Sequence, residues 1–325
     1  MQTRGPVVTM YADFAATSDS PCFTEWAQGV AGDPEVHAWL ATLPDGKRQP
    51  NLVFAAARWN GVPAPGPYAG LRDALLSDDG TIRATILARA TQTNEAGRLA
   101  TLVPAFAMIA AGEPVALVEV GASAGLCLHP DGWGYEWTTA SGVRTAGPAA
   151  PTLRCAVRGA APLPSRTPTI AWRGGVDLHP LDVTDADQMA WLTMLVWPEH
   201  DDRREQLRRA IQVSRTDPPD IVEGDLFDEL PALVARAAEH ARVVVFHSAV
   251  VAYLDDEGRG RFHDLMAGLV ADGACHWVSN EGERVLPGVA AGAPPSTEAG
   301  EKFVLGLDGR PVAWTHGHGR SMTWL

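Results

Sequence analysis

The segment Val115-Ala-Leu-Val-Glu119-Val-Gly121-Ala-Ser123-Ala-Gly125-Leu126 runs an apolar stretch straight into a glycine-rich turn, with an acid two residues before the first glycine. The apolar stretch reads as a buried strand. Gly121 and Gly125 suit a tight turn and a close approach of backbone to a ligand, and a helix opening after the turn would offer free N–H groups. Two chemistries fit these letters. One is a cofactor loop, Gly121, Ala122, Ser123 and Gly125, with Glu119 beneath it. The other is a nucleophile elbow, because Gly121-Ala-Ser123-Ala-Gly125 also spells G-x-S-x-G.

Three other groups of residues carry chemistry. Arg89, Gln92, Asn94 and Arg98 crowd polar side chains onto a helical stretch just before this strand. A solvated face with Glu95 and Arg98 paired is the plain alternative, but Thr93 and Asn94 are poor helix formers. Arg98 suits a ligand carboxylate, which a guanidinium binds at two points. His247 and Ser248 end a second apolar run, Arg242–Phe246, at the carboxyl edge where α/β proteins bind ligands. The plain alternative for His247 is a core histidine bonded to backbone. His247 and Tyr253 are the candidate bases. His316-x-His318 has metal-like spacing, yet glycines flank it and no acid or cysteine cluster joins it, so it reads as a turn and no metal is expected.

The elements that must position these groups change character along the chain. Residues 1–110 read as a helical lobe. Ser20-Pro21 and Asp33-Pro34 are each a cap followed by proline at the first helical position. One long helical stretch is expected from Thr81 toward Ala111, kinked or restarted at Pro104. Residues 111–325 read as a core of strands at Val115–Val120, Thr169–Asp177, Ile221–Asp225, Arg242–Phe246 and Cys275–Ser279. Residues 129–169 form an insertion with short strands around Tyr135 and Arg154. Helices are expected at Thr184–Trp197, at about Asp201–Val213, and around Phe262–Leu269. Lys302–Leu307 and Pro311–Thr315 flank Asp308-Gly309, a hairpin signal, and Ser321–Leu325 is a last short strand. The expected fold is α/β: a doubly wound, Rossmann-like, mostly parallel sheet closed by an antiparallel C-terminal hairpin, with an N-terminal helical lobe.

Composition excludes several functions. The chain has 325 residues, 46% apolar and 20% charged, with 26 basic and 39 acidic residues and a net charge of −13. An acidic surface repels phosphate backbones, so no nucleic-acid partner is expected. Lys47 and Lys302 are the only lysines, and no Gly-Lys-Ser/Thr occurs, which removes a P-loop. Four scattered cysteines with no C-x-x-C fit a reducing cytoplasm. No signal peptide and no membrane-length apolar stretch is visible. Oligomeric state is not legible.

The order of residues weighs the two chemistries. A hydrolase elbow should follow several strands and an oxyanion motif, whereas about 110 helical residues precede this one and no His-Gly-Gly-Gly occurs. Asp225 with His276, or with His316 or His318, could still complete a Ser123 triad. A dinucleotide site needs G-x-G-x-x-G, which the Gly121-x-x-x-Gly125 spacing does not match. As a cofactor loop, the turn belongs on the first strand. A carboxylate on the second strand then takes ribose hydroxyls and one after the third takes an adenine amino group. Asp177 and Asp225 stand there, with Leu226 beside the latter. Asp177 lies much further on than the usual spacing of about 20 residues, which leaves Glu136 and Asp182 as rivals.

These residues resemble the class I S-adenosylmethionine-dependent methyltransferase superfamily. Glu119-Val-Gly121-Ala-Ser-Ala-Gly125 is similar to its first motif, E-x-G-x-G-x-G, with Ser123 in place of the middle glycine. Gly224-Asp225-Leu-Phe-Asp228 resembles the acidic turn after strand three, and Val243-Val-Val-Phe-His247-Ser248 resembles strand four at the active-site edge. A closer resemblance is to a bacterial family of domains of unknown function. It rests on Gln92-Thr-Asn94-Glu95 with Arg98, the Glu119–Leu126 turn, Asp177-Leu-x-Pro180-Leu-Asp182-Val, Val196-Trp197-Pro198-Glu199 and Phe246-His-Ser-Ala-Val. The resemblance implies methyl transfer from S-adenosylmethionine to an unidentified small molecule, with Glu119, Gly121, Ala122, Ser123, Gly125, Asp177, Asp225, Leu226, His247 and Ser248 around the cofactor. The alternatives are a serine hydrolase using Ser123 and a nucleotide-binding module without catalysis.

Overall fold

A computed structural model describes residues 6–325. The chain divides into two compact units: residues up to Thr93 with Asp185–Arg208, and Asn94–Thr184 with Arg209–Leu325.

The first unit is helical, with helices Pro6–Thr17, Pro21–Ala31, Pro34–Leu40, Pro50–Trp59, Tyr68–Leu76, Thr81–Ala88 and Ala186–Met194. The caps expected from sequence form: Ser20 accepts from Phe23 N and Asp33 from Glu35 N and Val36 N, each ahead of a proline. In its core Phe23 stacks on Trp26, Phe54 meets Trp26 and Tyr11 edge-on, and Trp191 joins the same cluster.

The second unit holds one mixed sheet. Its strands are β1 (Val115–Val120), β2 (Gly134–Thr139), β3 (Gly142–Ala146), β4 (Thr152–Arg158), β5 (Ile170–Asp177), β6 (Asp220–Glu223), β7 (Arg242–Ser248), β8 (His276–Gly282), β9 (Glu301–Leu307), β10 (Arg310–His316) and β11 (Ser321–Trp324), in the order β3-β2-β4-β11-β10-β9-β8-β7-β1-β5-β6. Strands β6, β5, β1, β7 and β8 are mutually parallel. Strand β9 is antiparallel to β8, and β10 pairs back through Asp308-Gly309, whose φ values of 49° and 78° are those of the turn this dipeptide favours. Ala116, Val118 and Val120 alternate onto one face against Leu230 and Leu233 of helix Leu226–Ala238 and Phe262 and Met266 of helix Asp256–Ala271. On the opposite face, Phe106 of helix Leu99–Ala110 meets the Phe246 ring edge-on at 5.1 Å.

Three expectations are corrected. No helix opens after the glycine turn. A three-residue 3-10 turn, Leu126–Leu128, stops before Pro130, and the crossover from β1 to β5 runs out through β2, β3 and β4 to the far end of the sheet. The stretch from Thr81 is two helices rather than one. It breaks over 89–95, where Asn94 and Glu95 bond elsewhere, and Pro104 lies inside the second helix instead of starting it. Helix Leu226–Ala238, with Pro231 inside it, was not foreseen, because the proline masks its periodicity. Among the described residues no helix is long and apolar enough to cross a membrane.

Candidate functional site at the carboxyl end of the central strand

Sheet order reverses at β1. The chain moves to β5 and β6 on one side and to β7 and β8 on the other, so the turn after β1 occupies the switch point where open parallel sheets take ligands. The turn is wound tightly, with φ of 68° at Gly121, 52° at Ser123 and 66° at Gly125. Added Cβ atoms would come 2.5 Å from Val250 at Gly121 and 2.4 Å from Pro219 at Gly125. Both glycines are therefore required by packing of the chain on itself, whatever else binds there.

The amides of the turn have partners inside the protein. Gly121 N and Ala122 N donate to Val176 O at 2.8 and 3.2 Å, and Gly125 N to Ala122 O at 2.7 Å. Ser123 N donates to Asp177 Oδ2 at 2.8 Å. Asn94 clasps the turn across both ends: its Nδ2 donates to Ala122 O at 3.0 Å and its Oδ1 accepts from Leu126 N at 2.7 Å. A ligand phosphate would need those N–H groups, so the free-amide cradle expected from sequence is corrected to a self-bonded turn.

Glu119 lies beneath, 5% exposed, and its Oε2 has no hydrogen-bond partner. Burial pushes its carboxyl well above the usual range. The Arg98 guanidinium pulls the other way, Asp177 adds to the rise, and a bond from the Cys127 thiol lowers it. Arg98 is also buried. Its Nη1 donates to Ser248 O at 2.7 Å and its Nε to Gly317 O at 2.9 Å, which ties the end of β7 to the β10–β11 turn. From Ser248 a buried relay continues: Asn280 Nδ2 donates to Ser248 Oγ at 2.9 Å and Thr315 Oγ1 to Asn280 Oδ1 at 2.6 Å. Ala249 follows with φ of 59°.

The acids on neighbouring strands separate clearly. Asp177 holds Ser123 N with one oxygen and His179 N with the other, at 2.8 Å each. Asp182 takes the Thr184 amide and hydroxyl at 2.7 Å, which hold its carboxyl below the usual range, and it edges a recess of about 260 Å³ with Ala124, Pro180, Leu181, Pro219 and Ile221. Asp225 caps helix Leu226–Ala238 through Phe227 N, and Leu226 opens that helix. Glu136 is excluded as a rival. It lies on β2, near the opposite end of the sheet, where it pairs with Arg154 at 3.4 Å.

The candidate base His247 is corrected. It is fully buried, with Nδ1 bonded to Glu281 Oε1 at 2.7 Å and Nε2 accepting from Trp277 Nε1 at 3.0 Å. Both nitrogens are committed, so no position remains to take a substrate proton. Glu281 Oε1 also accepts from Val250 N and Val251 N, which makes the pair a fastening of the loop after β7. Sequence gave no signal for Glu281 beyond an acid at a strand end. Tyr253 stands in solvent, 83% exposed.

The Arg89, Gln92, Asn94, Arg98 group does not share a helix. Asn94 and Arg98 belong to the sheet unit, and Arg89 and Gln92 to the helical unit. There Arg89 pairs with Asp187 at 2.7 Å and lies over the Trp59 and Trp191 rings at 4.9 and 5.2 Å. His316 and His318 form a turn in which His318 N donates to His316 Nδ1 at 3.0 Å, and among the described residues no three potential ligands gather for a metal.

A family model described as an uncharacterized protein conserved in bacteria, DUF2332, matches residues 8–324. The chain belongs to DUF2332. No curated protein and no solved structure matches it. In this DUF2332 chain the runs singled out from sequence divide by role. Asn94 and Arg98, the glycine turn, Asp177 and the end of β7 converge at the switch point. Val196-Trp-Pro-Glu199 instead braces the helical unit. Arg58 donates to Val196 O at 2.9 Å, Trp197 Nε1 to Asn51 at 2.9 Å, and Glu199 takes Cys22 N at 2.8 Å.

Proposed function

We propose that this protein binds S-adenosylmethionine over the Gly121–Gly125 turn and methylates a small molecule. The observation that carries this reading is the buried Glu119 carboxyl, with an oxygen lacking any donor, directly under the turn at the switch point of five parallel strands. A buried acceptor left without a donor costs about 1–3 kcal/mol, and a ligand N–H or ammonium relieves that cost. The self-bonded amides favour a nucleoside ligand without phosphate groups. The strand order β6-β5-β1-β7-β8 puts Asp177 at the end of β5, which neighbours β1, and Asp225 just past the end of β6, one strand further out; ribose hydroxyls and the adenine amino group would lie there.

Bound there, the sulfonium would supply an electrophilic methyl group. The chain's own part is to orient and to exclude water. Glu119 would hold the amino-acid end. Asp177 keeps lone pairs beyond its two amide bonds for hydroxyl donors. Arg98 fixes the end of β7 and the β10–β11 turn as one rigid wall.

Calorimetry with S-adenosylhomocysteine tests this. A micromolar Kd that weakens at least tenfold in Asp177→Ala is expected, and no heat at millimolar ligand with folded protein would sink the idea. Gly121→Val is a poor test, since its side chain would strike Val250 and report on packing. A hydrolase using Ser123 is favoured by one observation, the left-handed φ of 52° at a non-glycine residue in the elbow position. Stoichiometric phosphonate labelling of Ser123, lost in Ser123→Ala, would decide for that reading.

A further inference from the structure

The carboxyl edge holds a second opening, further along the sheet. Strand β8 ends at Gly282, β9 starts at Glu301, and the segment between them borders a cavity of about 570 Å³. Its wall includes Glu283, Arg284, Pro295, Glu298, Glu301 and Trp314. Two strands, β7 and β8, separate β9 from β1. At the usual spacing of about 4.8 Å per strand, β9 is on the order of 14 Å from the strand that carries Glu119.

Glu301 is the unusual member of that wall. It is 1% exposed, and neither carboxylate oxygen has a hydrogen-bond donor. Its direction follows from the ladder. In regular pairing Glu301 would share the face of Phe303 and Thr315. The register between β9 and β10 shifts at Thr315/His316 and sets Glu301 across from His316, on the face of Trp314. Bulges re-aim side chains in this way. Arg158 bears out the direction. It lies across from Thr323, which lies across from Trp314, and its Nη1 comes within 3.6 Å of Glu301 Oε1.

Arg158 does not satisfy the carboxylate. Its approach makes no hydrogen bond, its Nη2 turns to Glu298 Oε2 at 3.2 Å, and its side chain stands half in solvent. A carboxylate held out of water is costly unless it is both paired and hydrogen-bonded. With both oxygens open it can take two N–H donors at once. Trp314 adds the second feature of a cation site. Its Nε1 is spent on Pro294 O at 2.7 Å, so the indole offers the cavity its ring, which attracts cations. A metal ion would need more ligands: among the described residues no three His, Cys, Asp or Glu gather to hold one.

We propose that this cavity binds a small organic cation, whose ammonium or guanidinium group enters beside Arg158, donates to Glu301 and lies against Trp314. The proposal stands apart from the methyl-transfer reading. Around the cavity Glu283, Glu298 and Glu301 are met by Arg158, Arg284 and Lys302. The charges balance, so a singly charged ligand is favoured over a polyamine.

The test is calorimetry of the full chain with n-butylamine and n-butylguanidine, in about 0.15 M salt to screen the exposed acids, with n-butanol as the uncharged control. At least one cation should bind with a millimolar Kd, as suits so few heavy atoms, and butanol should not bind. The tighter of the two cations tells ammonium from guanidinium. Glu301→Gln keeps the shape without the charge and should weaken binding about tenfold, as for the loss of one charged hydrogen bond. Arg158→Gln removes the competing cation and should raise the affinity. Glu136→Gln, on the remote strand β2, should leave it unchanged. No binding of either cation, equal binding of butanol, an affinity indifferent to Glu301→Gln, one not raised by Arg158→Gln, or an equal loss in Glu136→Gln would each overturn the proposal. If Glu301→Gln does not fold, Arg158→Gln carries the test, since its half-exposed side chain can be replaced without opening the core.

Discussion

Glu119 in the sheet unit and Glu199 in the helical unit are two acids drawn toward the interior, and their surroundings are opposite. Glu199 Oε1 accepts from Cys22 N at 2.8 Å and Oε2 from the Ser20 hydroxyl at 2.6 Å, so both oxygens are matched at the start of helix Pro21–Ala31. Burial raises its carboxyl, but the Ser20 and Cys22 bonds outweigh it and hold the group below the usual range. Glu119 has an unmatched oxygen, and burial holds it well above that range. A matched, half-buried acid is a brace for its own chain. An unmatched one at a sheet switch point is an opening for something from outside.

The comparison can be broken most severely at Arg98, whose side chain bonds main-chain carbonyls at the site and lies close enough to Glu119 to act on its charge. Arg98→Met leaves Ser248 O and Gly317 O without their donors and should cost about 3 kcal/mol, from two charged hydrogen bonds of the usual size. Urea unfolding reads the loss, and a change below about 1 kcal/mol would mean that the clamp is dispensable. Glu199→Ala comes next, with a loss of about 1–2 kcal/mol from leaving Cys22 N and the Ser20 hydroxyl without their acceptor. The affinity for S-adenosylhomocysteine should stay as in the wild type, and weakened binding would erase the contrast between the two acids.

Glu119→Gln sharpens the contrast through pH. The folded chain keeps a proton on Glu119 that the unfolded chain releases above its usual value of 4.5. Wild-type stability therefore falls as pH rises from 4.5 toward the raised folded value, and Glu119→Gln should remove that slope. Glu199 behaves in reverse. Its contribution is fully present above 4.5 and is lost as pH falls through its lowered folded value. Thermal unfolding of the two variants from about pH 2.5 to 8 spans both windows and checks both signs, and parallel curves would refute the assignment. The smallest effect belongs to Glu136→Ala, on the remote strand β2. It should change stability by less than about 0.5 kcal/mol, as surface substitutions do, and ligand affinity not at all.

Much of the sheet was legible because its strands are local patterns. Val115–Val120 is found as expected, Thr169–Asp177 is shortened by one residue, and Arg242–Phe246 is longer by two. Asp308-Gly309 announced its hairpin through residue type alone. The site was legible only where chemistry and sequence coincide, as at Glu119 and the glycine turn. Arg98 was read as a ligand contact, yet its partners are main-chain carbonyls 150 and 219 residues away, which no spacing records. His247 differs from its expected role for a related reason. Its place at the end of a strand is visible in sequence, but the Glu281 and Trp277 side chains that close both nitrogens come from β8. Asn94 was grouped with Gln92 by adjacency, although the chain passes from one unit to the other between residues 93 and 94.

The excursion from β1 through β2, β3 and β4 also bears on the order of assembly. Strand β4 pairs only with β2 and with β11, which lies at Ser321–Trp324. A nascent chain emerging from the ribosome has made residues 134–158 long before the strand that docks them, and over 160 residues separate the two partners. Until that strand appears, β2–β4 is a small ladder with a bare edge, of the kind that pairs with other chains. Contacts this far apart in sequence slow folding. Trp137 of β2 still donates to Ala100 O of helix Leu99–Ala110, so removing the last strand should bare the edge of β4 while the five parallel strands around Glu119 still close.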